Sequence, residues 1–334
     1  MRAIAVKDVS QVAEARRTAV LVAKAVGFGE EDAGRVAIVA TELATNLIKH
    51  GGGGELLVGS YSDRTGNGVE CLALDKGPGI GDFEAASRDG YSTAGSQGSG
   101  LGAIARNSHQ VDVFAPMGSG TAILVRFREG RPVPGLVSSM PRVGAINLPK
   151  TGEDVCGDAW SRVTHARGYK LVVADGLGHG TYAADASQAA LRVFQDEKAS
   201  APGQILQKMH LALRPTRGAA ISVADVDIER HQVTFAGIGN VAGVIVNQDG
   251  SVRQMVSHNG TVGHVAKRVQ EFIYQFAGEP LIILCSDGLA TNWNLRAYPG
   301  LAFRHPTLIA GVLYRDFTRG RDDVTVVVTR GEAA

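Results

Sequence analysis

Apolar residues recur along the chain with two different periods. Between residues 30 and 49 they fall at Ala33, Val36, Ala37, Ala40, Leu43, Ala44 and Leu47, the i, i+3, i+4, i+7 spacing of one buried helical face. A helix is therefore expected there, and another over 10–26. Short β-like runs follow at 55–61, 69–74, 111–115 and 122–127, and helices followed by mostly antiparallel strands suggest a two-layer α/β sandwich. Beyond residue 141 strand patterns dominate, at 143–147, 169–174, 219–227, 232–236, 242–246, 271–276, 281–285 and 324–329. Helical patterns interrupt them at 182–194, 204–213 and 307–317, which suggests packed sheets with helices outside. The two blocks are joined by EGRPVPGLVSSMP (129–141), whose three prolines and two glycines read as an extended connector. The expected organisation is an α+β chain with a first domain over 1–130, a linker over 131–141 and a second domain over 142–332.

Length and charge narrow the function classes. The 334 residues suffice for two domains with separate cores. A net charge of +1 provides no basic stripe for nucleic acid. No apolar run reaches the roughly 18 residues of a membrane span, and no signal-peptide pattern opens the chain. Cys71, Cys156 and Cys285 lie far apart with no Cys-x-x-Cys, so a reduced, cytoplasmic setting is expected. The 43 glycines matter because they cluster.

In the first block, Glu42 and Asn46 stand four residues apart on one stripe of the expected helix, roughly opposite its apolar face. A carboxylate beside an amide oxygen can orient a hydroxyl and hold a hard cation, although such a pair is also an ordinary solvated face. After the run 69–74 comes Asp75-Lys76-Gly77-Pro78-Gly79. A carboxylate there can accept from an exocyclic amine while the glycines admit a ring, and the same residues also make a common turn. Gly98-Ser99-Gly100-Leu101-Gly102 then precedes a short helical pattern over 103–107, a place where backbone N–H groups cradle phosphates.

The ordered series E-x-x-x-N, D-x-G-x-G, G-x-G-L-G resembles the ATP-binding boxes of the GHKL superfamily (Bergerat fold). ELATNLIKHG and GSGTAILV are most similar to its anti-sigma-factor and stressosome serine kinases. The resemblance covers about 5–128 and implies ATP at Asp75, Gly77, Gly79, Gly98, Gly100, Leu101 and Gly102, with Mg²⁺ at Asn46. It implies Glu42 as the base that activates a protein hydroxyl, Thr121 near the adenine-binding carboxylate, and a lid over 81–97. A homodimer through this domain is compatible with the family. No phosphoacceptor helix of a histidine kinase is present, and the large extra domains of GHKL chaperones have no room here.

In the second block, Gly157-Asp158, Asp175-Gly176, Asp287-Gly288 and Asp322-Asp323 mark four acidic turns. Asp-Gly alone is a frequent turn dipeptide. Convergence is what would give them chemistry. Gathered carboxylates repel unless protons or cations intervene, and hard divalent ions are natural occupants of an all-oxygen site.

The strings EDVCGDAWS, VVADGLGHGTYAADAS, GIGN, ILCSDGLA and RDDVTVVV, in this order, resemble the SpoIIE-type branch of the PPM (type 2C) phosphatases over about 142–330. The resemblance implies an α-β-β-α sandwich and two Mn²⁺ or Mg²⁺ ions. Asp175 would bridge both, with the Gly176 carbonyl, Asp158 and Asp287 as further ligands. Asp322 would complete the site, with Asp323 as second choice. The chain departs from the eukaryotic pattern at D-G-L-G-H-G, which displaces His179, and no motif fixes a phosphate-holding arginine, for which Arg142 is a candidate. His258 and His264 read as loop residues, Cys156 and Cys285 as small apolar packing groups, and Trp160 and Trp293 as core or rim aromatics.

The function expected from both resemblances is metal-dependent dephosphorylation of phosphoserine or phosphothreonine on a signalling partner, with a STAS-domain antagonist of a partner-switching pathway as the implied substrate. The first domain would add serine-kinase activity. The alternative makes it a non-catalytic, ATP-dependent binding or gating module.

Overall fold

The computed structural model describes residues 1–63, 66–81, 100–130, 143–266 and 268–330. In chain order the first elements are β1 (Arg2–Val6), α1 (Val9–Val26), α2 (Glu30–Lys49), β2 (Gly54–Asp63), β3 (Gly66–Leu74), α3 (Gly100–Asn107), β4 (Gln110–Phe114) and β5 (Ala122–Phe127). Next come β6 (Val143–Leu148), β7 (Asp158–His165), β8 (Gly168–Gly176), α4 (Thr181–Asp196), α5 (Pro202–Ala212), β9 (Ala219–Asp227), β10 (Gln232–Ile238) and β11 (Ala242–Val246). The last are β12 (Val252–Met255), β13 (Phe272–Gln275), β14 (Leu281–Cys285), α6 (Pro306–Phe317) and β15 (Val324–Arg330). The chain divides into two compact units, Met1–Pro141 with Phe303–Arg315, and Arg142–Ala302 with Asp316–Ala334.

In the first unit one antiparallel sheet runs β1-β2-β3-β5-β4. The helix α1 starts where the Asp8 carboxylate accepts from the Ser10 N–H at 2.9 Å and Gln11 reaches back to the Asp8 N–H at 3.1 Å. It stops at Gly27, whose φ of 101° satisfies a left-handed cap. Glu30, Glu31 and Asp32 open α2 and Lys49 closes it, in accord with the helix dipole. Its apolar stripe, with Val36, Ala40, Leu43 and Leu47, packs on Val58, Cys71 and Val125 of the sheet. The opposite sheet face is buried too, through Leu57, Leu72, Leu74 and Leu124. Gly311 of α6 lies against that face, where an added Cβ would stand 2.3 Å from a Leu72 methyl. Glu70 and Arg126 face each other across β3 and β5, joined by bonds of 2.9 and 2.7 Å, and Arg126 also reaches Thr307 Oγ1 at 3.2 Å. The Thr307 hydroxyl lies within hydrogen-bond distance of both members of this buried ion pair, which helps offset its desolvation.

The second unit stacks two antiparallel sheets, β13-β10-β9-β8-β7 and β12-β11-β14-β15-β6. Leu171, Val173, Val226 and Phe235 of one interleave with Ile245, Ile282, Leu284 and Val327 of the other. On the outer face of the first sheet, Ala190 and Phe194 of α4 and Leu206 and Met209 of α5 cover Val172, Ile221 and Val223. The α+β class is borne out, with a Bergerat-type sandwich followed by packed PPM sheets. The hydrophobic pattern predicts no strand at β1, β7 or β12, and each is an edge of its sheet. Such strands bury little: β12 (VRQM) buries only Met255, and β7 (DAWSRVTH) only Asp158 and Ala159. Among the described residues no helix is long and apolar enough to cross a membrane.

Candidate functional site

Two strands of one sheet and the ends of two strands of the other carry the acidic residues to one end of the second unit. Asp158 opens β7 and Asp175 nearly closes β8, and the two are directly opposite in the register. They are strand residues, not turn residues. Asp287 lies two residues beyond β14, and Asp322 and Asp323 immediately precede β15, its neighbour. Burial pushes the Asp175 carboxyl up to about 8, reinforced by the charges of Asp158, Asp287 and Asp322. Burial likewise raises Asp158 to about 7 against the bonds from Ser286 and Thr325, with Asp323 and Asp287 adding repulsion. Asp287 is raised by burial and by Asp322, while Arg319 and Asn240 pull it back.

The carboxylates thus feel one another, yet among the described residues no three His, Cys, Asp or Glu side chains close around one point as a ready-made cage. An open, all-oxygen constellation of this kind leaves most of a hard cation's coordination to water. Asp322 and Asp323 differ in their partners. Asp323 is buried, raised by burial, and accepts from the Lys150 N–H at 2.8 Å, whereas Asp322 acts on Asp175 and Asp287.

Several polar residues that support these carboxylates were not singled out from the sequence. Ser286 donates to Asp158 Oδ2 at 2.6 Å and accepts from the Thr325 N–H at 2.9 Å. Asn147 donates to the Asp158 carbonyl at 3.2 Å and to Thr325 Oγ1 at 2.8 Å. Asn240, in the GIGN string, donates to Asp287 Oδ2 at 2.6 Å. The glycines beside the acids serve close approach. A Cβ on Gly157 would stand 2.6 Å from Asp323 Oδ2, one on Gly176 2.0 Å from the Ala183 carbonyl, and one on Gly288 2.0 Å from the Asp323 carbonyl. Only glycine lets these segments meet.

Around this centre, His179 Nδ1 lies 2.6 Å from Glu153 Oε1, partly exposed. Arg142 falls outside the described residues. His258 leans on Phe272 with ring centroids 5.8 Å apart, and His264 bonds the Thr216 carbonyl at 3.1 Å, so both are occupied in loop packing. Burial raises the thiols of Cys71 and Cys285 to about 12 and that of Cys156 further still, so all three stay protonated at neutral pH. Trp160 packs at the inter-sheet core, and Trp293 is buried.

In the first unit, Asp75 ends the run of β3 as a buried carboxylate. Its Oδ1 accepts from the Gly77 N–H at 2.8 Å and the Thr121 N–H at 3.0 Å, which places Thr121 beside it. Arg315 donates to its carbonyl at 3.0 Å. Glycines wall it in: an added Cβ on Gly51 would lie 2.6 Å from the Asp75 Cβ, and one on Gly120 2.2 Å from its carbonyl oxygen. Gly79, at φ 80°, meets the Pro116 carbonyl at 2.4 Å in the same way. Glu42 and Asn46 are half-buried on α2. The helix α3 begins at Gly100, so Gly100, Leu101 and Gly102 form its first turn, the part of a helix whose N–H groups have no intrahelical acceptor; the apolar pattern predicts a start only at 103 because glycine is a poor helix former. Gly98 and residues 82–97 of the expected lid lie outside the described residues.

Comparison with known proteins agrees with both halves. Residues 5–127 match the histidine kinase-like ATPase domain, and residues 165–331, half of the chain, match Stage II sporulation protein E (SpoIIE). The serine/threonine-protein kinase RsbT of Bacillus subtilis is 35% identical over 112 residues, 34% of this chain and 84% of RsbT. The phosphoserine phosphatase RsbX of the same organism is 24% identical over 142 residues, 42% of this chain and 71% of RsbX. RsbX solved in complex with magnesium superposes with a TM-score of 0.50 at 22% identity, covering 56% of this chain and 92% of RsbX, a likeness of fold. A chain from a structure described as "The bacterial stressosome: a modular system that has been adapted to control secondary messenger signaling" gives a TM-score of 0.53 at 26% identity over 57% of this chain and 98% of that one. An RsbT-like kinase domain thus precedes a PPM fold whose acids and glycines meet at one sheet end, and the chain belongs to the SpoIIE family of PPM-type serine/threonine phosphatases.

Proposed function

We propose that the acidic constellation holds two divalent cations, Mn²⁺ or Mg²⁺, and that the substrate is a phosphorylated STAS-domain antagonist or related regulator in a cytoplasmic partner-switching pathway. The observation that carries the metal reading is the cross-strand pair Asp158–Asp175, a buried and a half-buried carboxylate set opposite one another with Asp287 and Asp322 within electrostatic reach. Like charges placed so are unfavourable without a counter-ion. The oxygen-only donors suit hard cations, and the magnesium complex of RsbX supports the choice. Asp175, the Gly176 carbonyl, Asp158, Asp287 and Asp322 would hold the ions, and Asp323 braces Asp322 and Lys150. When bound, the ions neutralise the phosphate and lower the pKa of water so that it can attack phosphorus. The chain's own residues keep that geometry: Ser286 and Asn147 fix β7 against β15, and Asn240 fixes Asp287.

The first domain, over 1–130, is assigned ATP with Mg²⁺: Asp75 with Gly77, Gly79 and Thr121 at the base, the first turn of α3 at the phosphates, and Asn46 at the ion. The buried, glycine-walled Asp75 supports this, since its walls leave no room for side chains. Glu42 is assigned the base for transfer to a partner serine, in keeping with RsbT. The second domain, over 142–332, then opposes a kinase carried on the same chain. Two assays test the pair. Manganese-loaded protein should hydrolyse p-nitrophenyl phosphate and Asp175→Asn should not; equal rates would remove the metal assignment. Labelled phosphate should pass from ATP to a partner serine and fail to do so in Glu42→Ala. ATP binding with no transfer by wild type would leave this domain a gating module.

A further inference from the structure

The metal centre gathers negative charge, so a phosphorylated substrate needs a cation outside the metal set to orient its remaining oxygens. The basic side chains Arg319, His179 and Arg217 can be compared. Arg319 already lowers the Asp287 pKa, and His179 is held by Glu153. Arg217 is different. It sits just before β9, whose Ala219 pairs with Gly176 of β8, so its loop runs beside the turn that follows Asp175. The Leu177 N–H donates to the Gly218 carbonyl at 3.0 Å, which ties loop to turn. The Arg217 Nη1 lies against Gly178, 3.0 Å from where a Cβ would stand, and Gly178 has φ 91°. The guanidinium stacks over the Tyr182 ring at 4.8 Å, and Tyr182 is 67% exposed.

That stacking uses one face of the guanidinium and leaves its N–H edges for acceptors. No carboxylate pairs with it among the described residues. Its base is rigid as well: Thr216 Oγ1 donates to the Leu213 carbonyl at 2.7 Å and accepts from the Gly218 N–H at 3.0 Å, while His264 holds the Thr216 carbonyl. An aromatic-backed arginine on a hydrogen-bonded loop beside the turn that follows Asp175, with no carboxylate partner among the described residues, suits bidentate binding of phosphoryl oxygens. We infer that Arg217, held on Tyr182, is the phosphate-binding residue of this phosphatase, filling the place for which the sequence offers no motif. This rests on placing the metal centre at Asp175–Gly176, as proposed above.

The test uses the full chain loaded with Mn²⁺, p-nitrophenyl phosphate as substrate and inorganic phosphate as competing ligand. Arg217→Ala should raise KM and the inhibition constant of phosphate by about tenfold, with kcat within about twofold, since a charge-assisted pair is lost. Arg217→Lys should not restore them, because an ammonium neither stacks nor forks in the same way. Tyr182→Leu should shift both constants in the same direction by less. Titration of Mn²⁺ by calorimetry should be unchanged in all three variants, which also shows that they fold. Unchanged KM and inhibition constants in Arg217→Ala would overturn the assignment. So would a shift seen only with a phosphoprotein substrate, which would make Arg217 a contact to the protein. Failure of wild type to bind Mn²⁺ would instead strike the metal reading, so the two failures are distinct.

Discussion

Asp158 and Asp175 face each other on adjacent strands, and the atoms that make this tolerable belong to neighbours of modest chemistry. Ser286 is fully enclosed and gives its one proton to Asp158 Oδ2. Ser286→Ala would leave that oxygen and the Thr325 N–H without their partner, at a cost of about 1–3 kcal/mol. The denaturation midpoint of the metal-free protein should fall accordingly, and an unchanged midpoint would show that water replaces the hydroxyl. Asn240→Ala acts on Asp287 from outside the acid set. Orienting partners of ligands are typically worth about 10–100-fold, so Mn²⁺ affinity should weaken by that order while the fold persists. A calorimetric Mn²⁺ titration of this variant reads the effect directly.

At the scale of elements, the glycines beside the acids mean something other than turn propensity. Gly288 carries no left-handed φ, yet its Cα packs where a methyl would stand 2.0 Å from the Asp323 carbonyl. Gly288→Ala should therefore force the end of β14 away from β15 and cost about 1–3 kcal/mol or more through overpacking, with Mn²⁺ affinity falling in parallel. A thermal melt with and without the ion checks this, and a variant as stable as wild type would show that the strands can part. Burial also decides which elements are legible in the sequence. Central strands such as β14 (LIILC) and β15 (VTVVVTR) are apolar runs and stand out. The edges β7 and β12 carry too few buried residues to leave a periodic trace, and β1 offers only one alternating pair, Ile4 and Val6. The acids could be read because their motifs recur in order. Ser286 and Asn147 could not, because an isolated serine or asparagine has no pattern, and their roles exist only once β7, β14, β15 and β6 are brought together.

For the whole molecule, protons and cations compete for the same oxygens, and stability should record it. Asp158 and Asp175 are raised from the ordinary 3.8 to about 7 and about 8 in the folded state. The folded, ion-free protein therefore keeps protons that the unfolded chain has already released. The stability this contributes is fully present below about pH 4 and is lost as the pH rises through 7–8. Mn²⁺ held at the proposed site would take the place of those protons and stabilise the folded state by mass action. Ion-free protein should thus lose stability between about pH 5 and 8, while the gain on adding Mn²⁺ should grow over the same interval. Chemical denaturation at several pH values, with and without the ion, measures both slopes. In the double variant Asp158→Asn, Asp175→Asn, the ion-free slope should flatten and the Mn²⁺ gain vanish, because neither amide titrates or bridges. If the double variant kept the wild-type slope, the pH response would belong to other groups and the acidic sheet end would lose its claim to the metal. If the slope flattened while the Mn²⁺ gain survived, the titration would be confirmed and the ions placed elsewhere.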